Sequence, residues 1–210
     1  MHTLCAPEIE RYIYEILPER DAVLQEIERE AEKRDIPIVG PAVGRLLYQY
    51  ARLLNAKSIF EMGSAVGYST IWWARAVSEA GEVFYTDGDQ KNAAEARQYF
   101  KRAGIEGRIR VHVGDALQLL AAQQQEFDII FNDVDKEYYP RVLDLVPSRL
   151  RRGGLFITDN VIWSGRVTQQ QPQEESTRAI QEFNQRLYAM PEFFTTIVPL
   201  RDGLAISVKL

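Results

Sequence analysis

The apolar positions in the first part of the chain recur at helical spacing and predict three helices. One stripe lies before Pro18, a second follows it within residues 7–34, and a third comes after the breaker "DIPIVGP". The charges between the apolar positions of the second stripe are typical of the solvent-facing side of a helix. The stripes consist of Ile9, Ile13, Ile16 and Leu17, then Val23, Leu24, Ile27 and Ala31, then Val43, Leu46, Leu47, Tyr50, Leu53 and Leu54.

From Lys57 onward, short runs rich in β-branched and aromatic residues alternate with helical patterns. Strands that alternate with helices indicate right-handed crossovers, and therefore a parallel sheet with helices on both faces. The predicted strands cover 58–62, 82–86, 109–113, 127–132 and 155–158. The predicted helices lie near 68–79, 90–103, 116–123, 138–149 and 174–189.

Two further apolar runs, 193–199 and 204–209, lie closest to the C-terminus. Only four residues separate them, which allows a hairpin but no crossover. The whole pattern predicts an α/β fold, with a Rossmann-like seven-stranded sheet whose last strand is antiparallel. No repeat or linker interrupts it, so residues 1–210 are predicted to form a single domain, with 1–35 as an N-terminal helical cap and 36–210 as the catalytic core.

The overall composition narrows the classes of partner. The chain has 210 residues, 46% of them hydrophobic and 26% charged, and a net charge of -5. Such a chain can bury one sizeable core, and its acidic balance disfavours binding to nucleic acid or an anionic membrane. No apolar run approaches the roughly 18–20 residues of a membrane span, and the N-terminus lacks a signal-peptide layout. With Cys5 as its single cysteine, which cannot form an internal disulfide, the chain is predicted to be cytoplasmic.

The stretch "FEMGSAVGYST", from residue 60, places Gly63 and Gly67 between the first strand and the following helix. Glycines there let a ligand approach the backbone and the free N–H groups of the helix. A glycine turn alone is weak support, because any strand-to-helix connection can need one. Asp87 strengthens it, since this acid ends the second strand, where it can bind both hydroxyls of a ribose. The pattern predicts a nucleoside-containing ligand, with Asp89 as a helix N-cap.

A second group of polar residues follows the fourth and fifth strands. Asp133 comes directly after "FDIIFN", and Asp159 and Asn160 come directly after "LFIT". In a sheet whose order reverses beside the first strand, these two strands are neighbours, so their ends bring the three side chains together. Oxygen donors of this kind suit a hard divalent cation. The alternative, ordinary loop acids and a helix cap, stays open on the residues alone.

In order along the chain, residues 36–210 resemble the cation-dependent class I O-methyltransferases, the group that holds the caffeoyl-CoA and catechol O-methyltransferases. The matching segments are "FEMGSAVGYST", "YTDGD", "GDAL", "FNDVDKEYY", "ITDNVIWSGRV" and "LRDGLAIS". The resemblance implies a methyltransferase domain that uses S-adenosylmethionine and a divalent cation, typically Mg²⁺. It further implies methyl transfer to a hydroxyl of a small, catechol-like aromatic acceptor, and a possible homodimer.

The resemblance also implies roles for individual positions. Lys136 matches the catalytic base, beside the catalytic Asp133. The implied metal ligands are Asp133, Asp159 and Asn160. The implied S-adenosylmethionine site comprises Glu61, Gly63 and Ser69 at the methionine, Asp87 at the ribose, Asp115 and Ala116 at the adenine edge, and Asp133 and Asp135 nearby. Trp163 and Arg166 follow Asn160 in a polar stretch, and from that position we expect them to contact the acceptor.

The chain departs from the family pattern in three places. Asn132 replaces an apolar residue before Asp133, and Gly88 replaces an apolar residue after Asp87. The N-terminal region is also shorter than in the plant enzymes, whose extra segment helps to shape the substrate site. These departures bear on the acceptor more than on the chemistry.

Other interpretations of these residues remain open at this point. An NAD-type dehydrogenase shares the glycine loop and the acid after the second strand, but it gives no reason for Asp159 and Asn160. A non-catalytic cofactor-binding protein of the same fold is disfavoured, because the polar set at both strand ends is intact. Lys136 could instead be an ordinary solvated lysine, and Trp163 a core residue.

Overall fold

Seven β-strands and eight α-helices build residues 6–210, the part of the chain that the computed structural model describes. The strands are β1 (Ser58–Met62), β2 (Glu82–Asp87), β3 (Ile109–Val113), β4 (Phe127–Asn132), β5 (Leu150–Thr158), β6 (Phe193–Val198) and β7 (Leu204–Lys209). The helices are α1 (Pro7–Glu15), α2 (Ala22–Arg34), α3 (Gly40–Leu53), α4 (Tyr68–Ala76), α5 (Gln90–Arg102), α6 (Ala116–Ala121), α7 (Tyr139–Leu145) and α8 (Glu175–Ala189). Cys5 lies outside the described residues.

The strands form one sheet in the order β3-β2-β1-β4-β5-β7-β6. β7 is antiparallel to both of its neighbours, and the other pairings are parallel. This confirms the predicted Rossmann-like sheet with an antiparallel last strand. The strand order reverses between β1 and β4, which opens a crevice at the carboxyl ends of the strands. Since β6 runs parallel to β5, the turn after β6 reaches that same edge of the sheet.

Apolar side chains alternate between the two faces of the sheet, and each face buries a layer of helices. Ile129 and Phe131 of β4 pack on one face with residues of α2, α3, α4 and α5. Ile130 of β4 and Phe156 of β5 pack on the other face with α6, α7 and α8. Full burial of each such side chain stabilises the fold by about 1.5–3 kcal/mol. Helices on both faces are therefore confirmed, and the strand ends have a rigid support.

Two element boundaries differ from the sequence prediction. β5 begins at Leu150, not at residue 155, and its pairing with β4 shifts register near Phe127. Gly153 adopts φ +70° in this irregular part, and a Cβ on Gly154 would lie 2.8 Å from the carbonyl oxygen of Asp128. The predicted helix 138–149 is divided as well, because α7 ends at residue 145 and a 3₁₀ turn, Val146–Ser148, follows it.

The two N-terminal helices behave differently. The apolar stripe of α2 is buried against the sheet layer, whereas α1 has no buried residue. Ile9, Tyr12 and Ile16 of the α1 region are all more than half exposed. None of the helices within residues 6–210 has the length and apolar content that crossing a bilayer requires. The division into a helical cap and a catalytic core stays a prediction.

Candidate active site

The carboxyl ends of the parallel strands border a cleft of about 850 Å³. Most of the sequence-predicted site residues line it, whereas Glu61, Ser69 and Arg166 do not. The predicted residues that line it are Gly63, Asp87, Asp115, Ala116, Asp133, Asp135, Lys136, Asp159, Asn160 and Trp163. Residues at the carboxyl ends of the strands β1 to β5 therefore line one cavity.

The glycine turn after β1 packs tightly against the end of β4. Gly63 has φ +80° and Gly67 has φ +84°, both in the left-handed region that favours glycine. A Cβ on Gly63 would overlap the carbonyl oxygen of Asp133, so any side chain there would push the turn away from β4. Ala65, between the two glycines, is also left-handed, with φ +44°. The close approach of the turn to Asp133 explains why the sequence needs glycine at residue 63.

Glu61 is a fully buried carboxylate in β1, two residues before Gly63. Its Oε2 accepts hydrogen bonds from the hydroxyls of Ser64, at 2.9 Å, and Thr70. Burial raises the pKa of Glu61 to about 7, although neighbouring hydroxyls, including that of Ser69, oppose the rise. Its Oε1 has no hydrogen-bond partner among the described residues. A buried acceptor without a donor is costly, so this oxygen suits a ligand donor or a water.

Asp87 connects the end of β2 to the glycine turn. Its carboxylate accepts hydrogen bonds from the backbone N–H of Ala65 at 2.9 Å, the N–H of Asp89 at 2.8 Å, and the Asn92 amide at 3.2 Å. Asp89 caps α5 by accepting from Lys91 N–H at 2.7 Å, as predicted. The Asp87 side chain is only partly buried and faces the cleft. Its oxygens are therefore oriented while remaining accessible to a ligand.

Asp133 and Lys136 form an ion pair at the end of β4. The Lys136 ammonium donates to Asp133 Oδ1 at 2.8 Å and to the carbonyl of Val134 at 3.3 Å. It lies 5.2 Å from the ring centroid of Tyr139 and 5.8 Å from that of Trp163. Burial would lower the pKa of Lys136, but Tyr139 and Asp133 outweigh it and raise that pKa above its ordinary value. Only 13% of the Lys136 side chain is exposed, so it is not an ordinary solvated lysine.

Asp159, at the end of β5, is a buried carboxylate beside Asp133. Burial and the Asp133 charge raise the pKa of Asp159 to about 7, and burial also raises the pKa of Asp133. Asp159 Oδ1 accepts the backbone N–H of Asn160 at 2.8 Å. Two carboxylates that disfavour each other's charge are stabilised by a cation between them. Within residues 6–210 no three His, Cys, Asp or Glu side chains gather at a metal site; the predicted set has two, and its third ligand is an amide.

The segment after Asn160 has an unusual backbone. Trp163, Ser164 and Gly165 are consecutive left-handed residues, with φ of 50°, 52° and 79°. The Arg166 guanidinium carbon lies 4.1 Å from the Trp163 ring centroid, and its Nη1 donates to Glu174 at 2.6 Å. Trp163 lines the cleft, while Arg166 packs on the Trp163 ring and pairs with Glu174, the N-cap residue of α8.

Comparison with known proteins agrees with this arrangement. A sequence profile described as O-methyltransferase matches residues 15–210. The chain belongs to the O-methyltransferase family. The catechol O-methyltransferase of Niastella koreensis is 31% identical over 211 residues, which cover 95% of this chain and 96% of the relative. The caffeoyl-CoA O-methyltransferase of Populus kitakamiensis is 27% identical over 96% of this chain and 93% of its own.

A solved structure supports the same family assignment for this chain. An O-methyltransferase from Bacillus cereus, solved in complex with SAH, has a TM-score of 0.88 at 28% identity, over 97% of both chains. The prediction of an S-adenosylmethionine-dependent O-methyltransferase is thereby confirmed at the level of the family. The individual site residues stay predictions.

The two single-residue departures have different structural settings in this O-methyltransferase. The Asn132 side chain is fully buried, and neither of its polar atoms has a partner within residues 6–210. Thr158, its register partner on β5, is also buried with an unpartnered hydroxyl. A buried polar group without a hydrogen-bond partner lowers the stability of the fold by about 1–3 kcal/mol. Nothing in the structure explains why Asn132 and Thr158 are polar. Gly88 lines the cleft, and a Cβ there would meet no atom within 4 Å.

Two residues that the sequence analysis did not assign to the site contact the predicted cation ligands. Tyr139 is fully buried, and its hydroxyl donates to the carbonyl of Asp159 at 2.8 Å. Asp202 is 8% exposed, and its carboxylate accepts from the side chain of Asn160 at 3.4 Å. The signal for Asp202 lies in the topology, because the turn after β6 falls at the same edge as Asp133 and Asp159.

Proposed function

We propose that this O-methyltransferase transfers a methyl group from S-adenosylmethionine to one hydroxyl of a catechol-like aromatic acceptor, with a divalent cation, Mg²⁺, at the strand ends. The observation that carries the proposal is the juxtaposition of Asp133, Asp159 and Asn160 with Lys136 in the cleft that the glycine turn and Asp87 also line. The SAH in the Bacillus cereus relative and the name of the Niastella relative support it.

The proposed cofactor site runs along the glycine turn. S-adenosylmethionine supplies an electrophilic methyl group on a sulfonium. Asp87 would accept hydrogen bonds from the ribose hydroxyls, and the bare backbone at Gly63 would allow close approach. Asp115 and Ala116 would contact the adenine edge, and Asp135, which lines the same cleft, would lie near the cofactor. Glu61 and Ser69 are assigned to the methionine end although neither lines the cleft, and the unpartnered Oε1 of Glu61 supports that assignment.

We expect Asp87→Ala to weaken S-adenosylmethionine binding at least tenfold. Each hydrogen bond from a ribose hydroxyl to a charged carboxylate contributes about 1.5–3 kcal/mol, and tenfold corresponds to about 1.4 kcal/mol. Calorimetric titration of the folded variant measures the change. Asp89→Ala is the matched control, because it removes a carboxylate from the same rim and should leave cofactor affinity within about twofold. Equal affinity for wild type and Asp87→Ala would place the ribose elsewhere.

The donor set fits a divalent cation. Asp133 and Asp159 contribute carboxylate oxygens and Asn160 contributes a carbonyl oxygen, which are the ligands that Mg²⁺ and related ions prefer. Asp159 keeps one oxygen free of any hydrogen bond to a described residue, since only Oδ1 is engaged. When bound, the cation supplies Lewis acidity and a template for the acceptor oxygens.

Lys136 is the proposed base. A phenol has a pKa near 10, so its hydroxyl must lose a proton before it attacks at neutral pH. In this structure the Lys136 ammonium donates to Asp133. If Asp133 binds the cation, this pair would weaken, and the ammonium would release its proton to solvent before Lys136 accepts the proton of the acceptor hydroxyl. Asp133 would therefore do two things: hold the cation and control the charge of Lys136. The rings of Tyr139 and Trp163 keep the Lys136 nitrogen at the cleft wall.

We expect Trp163→Leu to raise the KM for catechol about tenfold while S-adenosylmethionine affinity changes less than twofold. An aromatic wall contributes about 0.5–1.5 kcal/mol beyond the area that it buries. Arg166→Gln should raise the KM less, because Arg166 contacts Trp163 and does not line the cleft. Steady-state kinetics with catechols and hydroxycinnamoyl thioesters measure both variants. If Arg166→Gln has the larger effect, Arg166 itself binds the acceptor.

The partners and the location of the protein stay predictions. A small hydroxylated molecule is the proposed substrate, and no nucleic acid or membrane partner is expected. The homodimer is supported by the apolar residues Ile9, Tyr12 and Ile16 in and beside α1, which the other residues of the described range 6–210 leave more than half exposed. A cytoplasmic location is proposed from the composition alone.

A further inference from the structure

Asp202 is a buried carboxylate without a cation partner. It lies in the turn between β6 and β7, is 8% exposed, and forms no salt bridge within residues 6–210. Burying an unpaired carboxylate is costly unless hydrogen bonds satisfy it. Asp202 has two such bonds, one to each oxygen: Oδ1 accepts the backbone N–H of Ser164, and Oδ2 accepts from Asn160 Nδ2 at 3.4 Å.

The backbone around Asp202 is built to hold it in this position. Arg201 adopts φ +56°, a left-handed conformation that an L residue occupies only at a cost. Gly203 has φ +82°, and a Cβ there would overlap the side chain of Ile162. The carbonyls of Asp202 and Gly203 accept the N–H groups of Ile162, at 3.0 Å, and Val161, at 3.1 Å. The turn and the segment after Asn160 therefore form one unit.

The bond to Asn160 bears on how that residue can bind a cation. An asparagine amide has one end that accepts, Oδ1, and one end that donates, Nδ2, and only Oδ1 can bind a metal. A carboxylate that accepts from Nδ2 selects one of the two amide orientations. With Nδ2 directed at Asp202, the opposite end of the amide, Oδ1, is left for the cleft.

We propose that Asp202 is a positioning residue that orients the Asn160 amide for cation binding and anchors Ser164, so that the cation site and the Trp163 wall share one support. The proposal rests on the proposed function, because it takes Asn160 as a cation ligand. It assigns to the β6–β7 turn, whose Arg201 and Asp202 also line the cleft, a role in cation affinity that acts through Asn160. Partners that orient a ligand in this way change metal affinity by about 10- to 100-fold.

The test is Mn²⁺ binding to the protein without acceptor, measured from the free-ion signal in electron paramagnetic resonance. Asp202→Asn keeps the shape of the side chain but leaves one acceptor oxygen for two donors, Ser164 N–H and Asn160 Nδ2. With that oxygen on Ser164 N–H, the new NH₂ faces Asn160 Nδ2 and favours the orientation that turns Asn160 Oδ1 away from the cleft. We expect Mn²⁺ affinity to fall about 10- to 100-fold. Asp202→Ser removes the same charge without imposing the wrong orientation, and its affinity should fall less than that of Asp202→Asn.

A double variant tests the orientation directly. In Asp202→Asn with Asn160→Asp, the new carboxylate at residue 160 has two equivalent oxygens, so its orientation no longer matters, and the net charge equals that of wild type. We expect Mn²⁺ affinity to return to within about threefold of wild type. Thermal unfolding checks that each variant folds. If Asp202→Asn does not fold, the Mn²⁺ affinity of Asp202→Ser alone is compared with that of wild type.

The outcomes separate this inference from the proposed function. If wild type binds Mn²⁺ and both Asp202 variants bind it with wild-type affinity, Asp202 does not position Asn160. A double variant that binds no better than Asp202→Asn also overturns the inference, since charge or packing would then explain the loss. Wild-type protein that binds no Mn²⁺ would overturn the cation proposal itself, and the role of Asp202 with it.

Discussion

Methyl transfer should stop when divalent cations are removed with excess EDTA, and it should return when Mg²⁺ is added back. A cation that stabilises the acceptor oxygen contributes several kcal/mol, and about 4 kcal/mol corresponds to a rate change of roughly 10³-fold. Without the cation, Asp133 and Asp159 offer only carboxylate oxygens, which can accept a hydrogen bond from the acceptor hydroxyl but cannot stabilise the oxyanion that forms when that hydroxyl loses its proton. Formation of methylated catechol, followed by chromatography, measures the loss.

The fold should survive this treatment, because the two helix layers bury their apolar residues away from the strand ends. Circular dichroism in EDTA checks this. Asp159→Asn should reproduce the loss in the presence of Mg²⁺. Glu137→Gln is the matched control, since Glu137 is an exposed carboxylate outside the proposed ligand set, on the turn after Lys136. Full activity in excess EDTA would remove the cation from the proposed function.

Lys136→Ala should lower kcat about 10²- to 10⁴-fold, the usual range for a general base, with little change in S-adenosylmethionine affinity. Lys136 acts on the proton of the bound acceptor and not on the cofactor, so the loss belongs to kcat and not to cofactor binding. Single-turnover rates and a calorimetric titration of the cofactor measure the two quantities separately.

Lys136→Arg tests whether Lys136 accepts a proton or only supplies a positive charge beside Asp133. Arginine keeps the ion pair with Asp133, but its guanidinium stays protonated near neutral pH and cannot accept a proton. If Lys136 is the base, Lys136→Arg should be as slow as Lys136→Ala. A Lys136→Arg variant with wild-type kcat would show that the positive charge beside Asp133 matters and the proton transfer does not. Wild-type kcat in Lys136→Ala would leave deprotonation to the cation alone.

Much of the fold could be predicted from the sequence because it depends on local periodicity. Strand and helix patterns report which side chains of a segment are buried, and that is enough to predict seven strands and their directions. Leu200 to Gly203 is too short for a crossover, so the antiparallel β7 followed from chain geometry alone. The start of β5 could not be predicted in this way. "LRRGG" has no strand periodicity, and its pairing with β4 depends on Gly153 and Gly154, which permit the irregular register.

The cleft was also predictable, for a topological reason. Parallel strands carry their carboxyl ends to one edge, so Asp87, Asp133 and Asp159 had to meet there once the strand order was known. The resemblance to O-methyltransferases then assigned a role to each position. Family membership confirms the class of enzyme, while the individual roles wait for the experiments above.

What the sequence by itself determined is the set of elements, their order and the edge at which polar residues gather. Only the tertiary structure decided which groups orient others: the burial that raises the pKa of Glu61 and Asp159, the stacking of Arg166 on Trp163, and the bond from Asn160 to Asp202. The physical reason is that periodicity reports the burial of a residue relative to its neighbours in one segment. A contact between residues 42 positions apart depends on how a β-turn and a loop pack against each other, and no local pattern records that.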